Sequence, residues 1–290
     1  MNETVEKNTA LADNPLSKYM RNPQIYISLP SGGKYWAPES LEMPINQELP
    51  VLSMSSYDEL LLKTPDALMN GQSVVDIIQS CIKPIKNAWD MPVTDLDYCL
   101  IAIRIATYGE MMGYSSICPK CNEFNEYEID LKEFLNLPVN MEVFDQIVNY
   151  DDQLTVKIKP RTYRDANKQN MEVFEQQRIV SLVNDESIDA EVKQEKFNEI
   201  FAKITRLSLA TVVGSIEYIQ VGETKYTQPA FIEDFVANTD VKVFRKVKDH
   251  HEITNKAIPD KTIKTSCPDC GHPYEMPFSF DHANFFALAS

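Results

Sequence analysis

Apolar and polar residues alternate over Gln24–Pro30, with Ile25, Ile27 and Leu29 on one side, which predicts a β-strand. A second strand is predicted from Leu49 to Met54. The period then changes. Ser56 stands three residues before Glu59, a capping-box spacing that opens a helix at Leu60, Leu61 and Leu62. A short turn is expected from Asp66 to Gly71. Ser73 is placed to cap the following helix, in which Val74, Ile77, Ile78 and Cys81 fall at helical spacing. After a loop over Asp90–Thr94, an apolar helix from Asp95 carries Leu96, Leu100, Ile103 and Ala106 toward Tyr108 and Gly109.

Further on, Asp130–Glu133 reads as another helix start and Thr155–Pro160 as a strand. Arg161–Arg164 leads into a helical insertion. There Phe197, Ile200, Phe201, Ile204 and Leu207 follow i, i+3, i+4, i+7 spacing, which predicts a core-facing stripe. Asp185, Glu186, Asp189, Glu191, Glu195 and Glu199 read as the solvated side of that region. Ile216–Val221, Gly222 and Lys225–Thr227 predict a small hairpin. Helices over Pro229–Val236 and Asp240–Lys248 follow, and an aromatic tail over Phe278–Phe286 closes the chain. The fold class expected is α+β, a mainly helical body with short strands.

Two cysteine pairs add a specific chemistry to this outline. Cys118-Pro119-Lys120-Cys121 and Cys267-Pro268-Asp269-Cys270 each sit between strand-like runs: Tyr114–Ile117 and Phe124–Leu131 for the first, Thr262–Thr265 and Tyr274–Phe280 for the second. Two such knuckles supply the four thiolates of a closed tetrahedral zinc site. An ordinary zinc ribbon has about 15–20 residues between its pairs. Here everything from Asn122 to Ser266 intervenes, so a split four-cysteine ribbon with a long insertion is expected. An all-cysteine shell leaves no open position for water, so the zinc is read as structural. The remaining cysteines, Cys81 and Cys99, fall inside apolar helices and read as small core residues.

Charge and composition narrow the function. The formal net charge of −15 argues against nucleic acid as a partner, because phosphate binding calls for a basic face and Lys120, Lys261 and Lys264 offer only a thin one. Uninterrupted apolar runs are too short for a membrane span. Met1–Asn14 is polar, lacks the apolar run of a secretory signal, and reads as a mobile tail. A reducing cytoplasm, where thiolates remain free for metal, is the expected compartment. Ser31-Gly32-Gly33-Lys34 lacks the spacing of a phosphate loop and reads as a tight turn. His250 and His251 are adjacent and point to different helix faces, and His282 has no partner motif. His272, two residues after Cys270, either supports a thiolate or is simply exposed. No catalytic residues and no small-molecule substrate are assigned. Tyr35, Trp36, Phe285 and Phe286 are candidates for either partner contacts or core packing.

The order of these features resembles a known family. Leu29–Trp36 ends a strand, Glu59–Leu62 opens a helix, and a turn at Gly71 leads to Val74–Cys81. Asp97–Arg104, Tyr108-Gly109 and the first knuckle follow; later come the hairpin at Gly222, Pro229–Phe235 and the terminal knuckle. Over residues 20–290 this resembles the T-even-type bacteriophage baseplate protein family, in particular the hub subunit and hub-assembly proteins of contractile-tailed phages. The resemblance implies a late, non-enzymatic virion-assembly protein acting on other baseplate, hub or tape-measure proteins. It would work in the host cytoplasm during assembly, with a place in the virion tail baseplate left open. A zinc-ribbon nucleic-acid-binding regulator is the alternative. The expected divisions are a flexible tail (1–20), an N-terminal strand and helical region (21–110) and a first knuckle (111–135). A mostly helical insertion with a small hairpin (136–258) and a second knuckle with C-terminal tail (259–290) complete them.

Overall fold

The computed structural model describes residues 15–63, 71–168, 170, 173, 177, 190–256 and 262–277. The expectations for Met1–Asn14, for Asp66, for Asp185, Glu186 and Asp189, and for Phe278–Phe286 lie outside these residues.

The chain is α+β. Strands β1 (Pro23–Ile27) and β2 (Leu49–Leu52) pair antiparallel. Helices α1 (Ser56–Leu62) and α2 (Gln72–Cys81) follow, then α3 (Val93–Tyr108), the centre of the first core. Cys99, Leu100, Ile101, Ala102 and Ile103 are all fully buried, so α3 is apolar all round, as a helix enclosed by other elements must be. Around it pack Leu49 and Val51 of β2 and Ile77, Ile78 and Cys81 of α2.

Local chemistry sets the helix starts, with two departures from expectation. The capping box of α1 is built one residue earlier than the spacing suggested: Ser55 is the N-cap, its side chain accepts from Asp58 N, and Asp58 answers Ser55 N at 2.7 Å. Asp58 is the better partner because it is buried and also accepts from Ser80 Oγ and Arg21 Nη1, both at 3.0 Å. At α2, Gly71 with φ +78 is the N-cap, and Ser73 is buried inside the first turn, donating to Leu61 O at 3.2 Å.

From the end of α3 the chain turns at Gly109 into the hairpin β3 (Met111–Ile117) and β4 (Phe124–Asp130), followed by the single turn α4 (Lys132–Leu135). A four-stranded antiparallel sheet then forms in the order β5 (Ile147–Asn149), β6 (Leu154–Ile158), β7 (Ile216–Val221), β8 (Thr224–Tyr226). Its helices are α5 (Ala190–Gly214), α6 (Pro229–Asn238) and α7 (Val241–Asn255). They enclose a second core of Val156, Ile158, Val212, Ile216, Ile219, Ile232, Val236 and Val247. After β6 the chain returns to the first core, where Tyr163 N donates to Met91 O at 2.7 Å and the Tyr163 ring stacks on Trp89 at 5.4 Å.

The stripe on α5 is a correction. Ile200 is buried, but Phe197, Phe201 and Ile204 are 52, 62 and 43% exposed. The periodicity placed these side chains on one helix face; it carried no information on whether anything in the chain covers that face. The last hairpin, β9 (Thr262–Ser266) and β10 (Pro273–Pro277), returns to the first core, where Ile263 packs. No described helix is long and apolar enough to cross a membrane.

Candidate metal centre

Each cysteine pair occupies the turn of a two-stranded hairpin, and the two turns are built alike. Cys118 N donates to Glu123 O at 2.9 Å and Cys267 N donates to His272 O at 2.9 Å. The residue after the second cysteine donates back to the first: Asn122 N to Cys118 O at 2.9 Å, Gly271 N to Cys267 O at 2.8 Å. Both of these residues are left-handed, with φ +59 at Asn122 and +70 at Gly271. Asn and Gly are the residues that adopt this backbone most readily. The proline after each leading cysteine restricts the turn further.

These turns bring the four sulfurs together although the pairs are far apart in sequence. All four Sγ atoms lie within 4.8 Å of one another. Across the hairpins, Cys118 Sγ is 3.8 Å from Cys270 Sγ and Cys121 Sγ is 3.6 Å from Cys267 Sγ. A tetrahedron with Zn–S bonds of about 2.3 Å has edges of about 3.8 Å, and the two cross-hairpin separations are close to that length. Cys118 and Cys267 are buried, Cys121 is half-buried and Cys270 is exposed.

The electrostatics agree with a cation-binding role. Burial opposes ionisation of Cys118, but the backbone N–H groups of Cys121 and Lys120 and the thiols of Cys121 and Cys267 outweigh it, bringing its pKa down to about 7. At Cys121 the backbone N–H of Glu123 favours the thiolate. Burial and the sulfurs of Cys118, Cys270 and Cys267 override that and push it up to about 12. Four clustered sulfurs cannot all ionise on their own; a divalent cation at their centre removes the conflict.

Side-chain contacts also join the hairpins. Tyr127 OH and Tyr274 OH are 2.9 Å apart. Asn125, buried in β4, directs Nδ2 at Cys267 Sγ across 3.6 Å. Neither contact is legible in the residue pattern of its own strand. His272 joins the second turn through its backbone carbonyl.

Cys81 and Cys99 are fully buried core residues away from the cluster, and burial pushes the Cys81 thiol up to about 12. His250 is buried on α7, with Nε2 lacking a hydrogen-bond partner and its pKa lowered by burial and by Lys157. Lys264 pairs with Glu275 at 3.6 Å, which further thins the basic surface beside the knuckles. Trp36 packs against the first core, and its Nε1 donates to Asp95 at 2.9 Å. Tyr35 lines a cleft of about 670 Å³ with Lys34, Asp145, Lys157 and Glu217. Asp145 in that cleft lies 4.0 Å from Lys34 and 3.8 Å from Lys157.

A family model described as T4 bacteriophage base plate protein matches residues 22–287. No curated protein and no solved structure matches the chain.

Proposed function

The chain belongs to the T4 bacteriophage base plate protein family, and from that premise we propose that it is a non-enzymatic component or assembly factor of the baseplate hub, stapled by one structural zinc ion. The family match, which runs through both knuckles and both cores, is the observation that carries the baseplate reading. The clustering of Cys118, Cys121, Cys267 and Cys270 supports the zinc. When bound, the ion would cross-link the two hairpins, and four thiolates would fill its coordination shell. The protein's own residues do the rest. The Cys-Pro turns present the sulfurs, and Asn122 and Gly271 hold those turns closed.

Action through protein contacts fits the surface. Phe197, Phe201 and Ile204 form an exposed apolar stripe on α5, edged by exposed, uncharged Gln194, Asn198 and Thr205. Apolar patches with polar rims are the surfaces that protein partners cover. The partners proposed are other baseplate, hub or tape-measure proteins, met in the host cytoplasm. In this reading residues 21–110 and 136–258 form the body, and the knuckle segments 111–135 and 259–290 tie its middle to its end.

Affinity capture from infected cells, combined with mass spectrometry of purified virions, tests the hub assignment. Co-purification with hub proteins is expected. Presence in virions would select the component reading and absence the assembly-factor reading. Capture with no baseplate protein at all would overturn both.

A further inference from the structure

Asn125, buried in the first hairpin, directs a side-chain amide donor at a sulfur of the second. Its register explains how. Counting from each leading cysteine, Asn125 and Tyr274 occupy the same position in their hairpins, yet the two are used differently. Tyr274 meets Tyr127 OH at 2.9 Å through its hydroxyl, whereas Asn125 directs its amide at a sulfur of the other hairpin. Its Nδ2 donates to Glu123 O at 3.2 Å and lies 3.6 Å from Cys267 Sγ. A carbonyl oxygen can only accept, so the amide nitrogen faces both partners, and its two hydrogens serve one each.

We propose that Asn125 is a positioning residue of the metal centre, which donates a hydrogen bond to the Cys267 thiolate and so offsets part of the negative charge that four thiolates carry around one divalent ion. This rests on the zinc reading above. The physical case is that of buried charge. A zinc ion with four thiolates retains a net charge of −2, and a buried anionic sulfur needs donors as any buried charge does. Cys118 has backbone donors from Lys120 and Cys121, and Cys121 has one from Glu123. For Cys267, which is buried, the Asn125 amide supplies a side-chain donor from the opposite hairpin. Because donor and sulfur belong to different hairpins, the bond forms only when the second knuckle has docked. The fixed turn at Glu123 aims the amide beforehand.

The test compares Asn125→Leu, which keeps the bulk and removes the donor, with Tyr127→Phe, which removes the hydroxyl contacts to Tyr274 and Thr265 and keeps the Asn125 donor. Full-length protein is loaded with zinc and titrated with a competing chelator, then loaded with cobalt(II) and its thiolate-to-metal charge-transfer band recorded. Asn125→Leu is expected to weaken zinc binding by about 10- to 100-fold, the usual effect of losing a group that supports a ligand. It should also move the cobalt band to lower energy, because a thiolate that loses a donor gives up its electrons more readily. Tyr127→Phe should leave the band in place. Unaltered affinity and an unmoved band in Asn125→Leu would overturn the proposal while leaving the zinc site intact. A band shifted equally by Tyr127→Phe would also overturn it, since the effect would then be one of hairpin docking. A wild-type protein that binds neither metal would overturn the zinc reading itself, and the proposal with it.

Discussion

Asp95 shows what a single residue can hide from sequence reading. Its place in the sequence marks only the start of an apolar helix, yet it is buried and holds the Ser31–Trp36 turn. It accepts from Ser31 N at 2.9 Å, from Ser31 Oγ at 2.5 Å and from Trp36 Nε1 at 2.9 Å. The tight turn was legible; its anchor, dozens of residues away, was not. Burial raises the Asp95 pKa from 3.8 to about 6, and the Ser31 and Trp36 hydrogen bonds only partly offset this. A carboxyl raised on folding favours the folded state fully below its unfolded pKa, and that contribution is lost as pH rises through the folded value. Asp95→Asn should therefore gain stability relative to wild type as pH rises from about 4 to 7, by an amount on the order of 2–3 kcal/mol. Thermal melts of both proteins across that range measure it, and a constant difference would refute this account. The knuckle cysteines were legible for the opposite reason: the residue types and the two-residue spacer specify the chemistry locally. Asn125 was not, because nothing in β4 alone says which sulfur it will face.

At the scale of elements, periodicity identified helices well and their environments less well. The apolar helix read from Asp95 is α3, whose burial on all sides follows from having Leu, Ile, Cys or Ala on every face. On α5 the same kind of pattern misled, since Phe197, Phe201 and Ile204 are open to solvent while Ile200 beside them is buried. Truncation separates the two environments. Ile200→Ala should cost about 2–5 kcal/mol, whereas Phe201→Ala should stay within about 0.5 kcal/mol, as surface changes do. Chemical denaturation of the two variants is the measurement, and equal losses would place Phe201 in the core after all. The helix starts teach a related lesson. A Ser-Ser pair offers two possible N-caps, and Asp58 decides for Ser55 through bonds to Arg21 and Ser80 that no local pattern contains.

Over the whole molecule, the sulfur cluster joins a hairpin that grows from α3 to one near the end of the described chain. Each core has its own apolar filling, so neither depends on the metal in the way a small zinc finger does. The second hairpin is different, because it reaches the body through the cysteines, the Tyr127–Tyr274 contact and Ile263. Chelation under reducing conditions should thus speed amide hydrogen exchange in β9 and β10 and leave α3 protected. Exchange that quickens equally in both would mean that the ion holds the entire fold.

The central claim, one zinc held by cysteines from the middle and the end of the chain, is tested most directly by metal analysis of the purified protein. Under reducing conditions the wild type should carry about one equivalent of zinc, and Cys118→Ser and Cys270→Ser should each lose most of it. A wild-type content below about half an equivalent, or serine variants that retain the metal in full, would contradict the account.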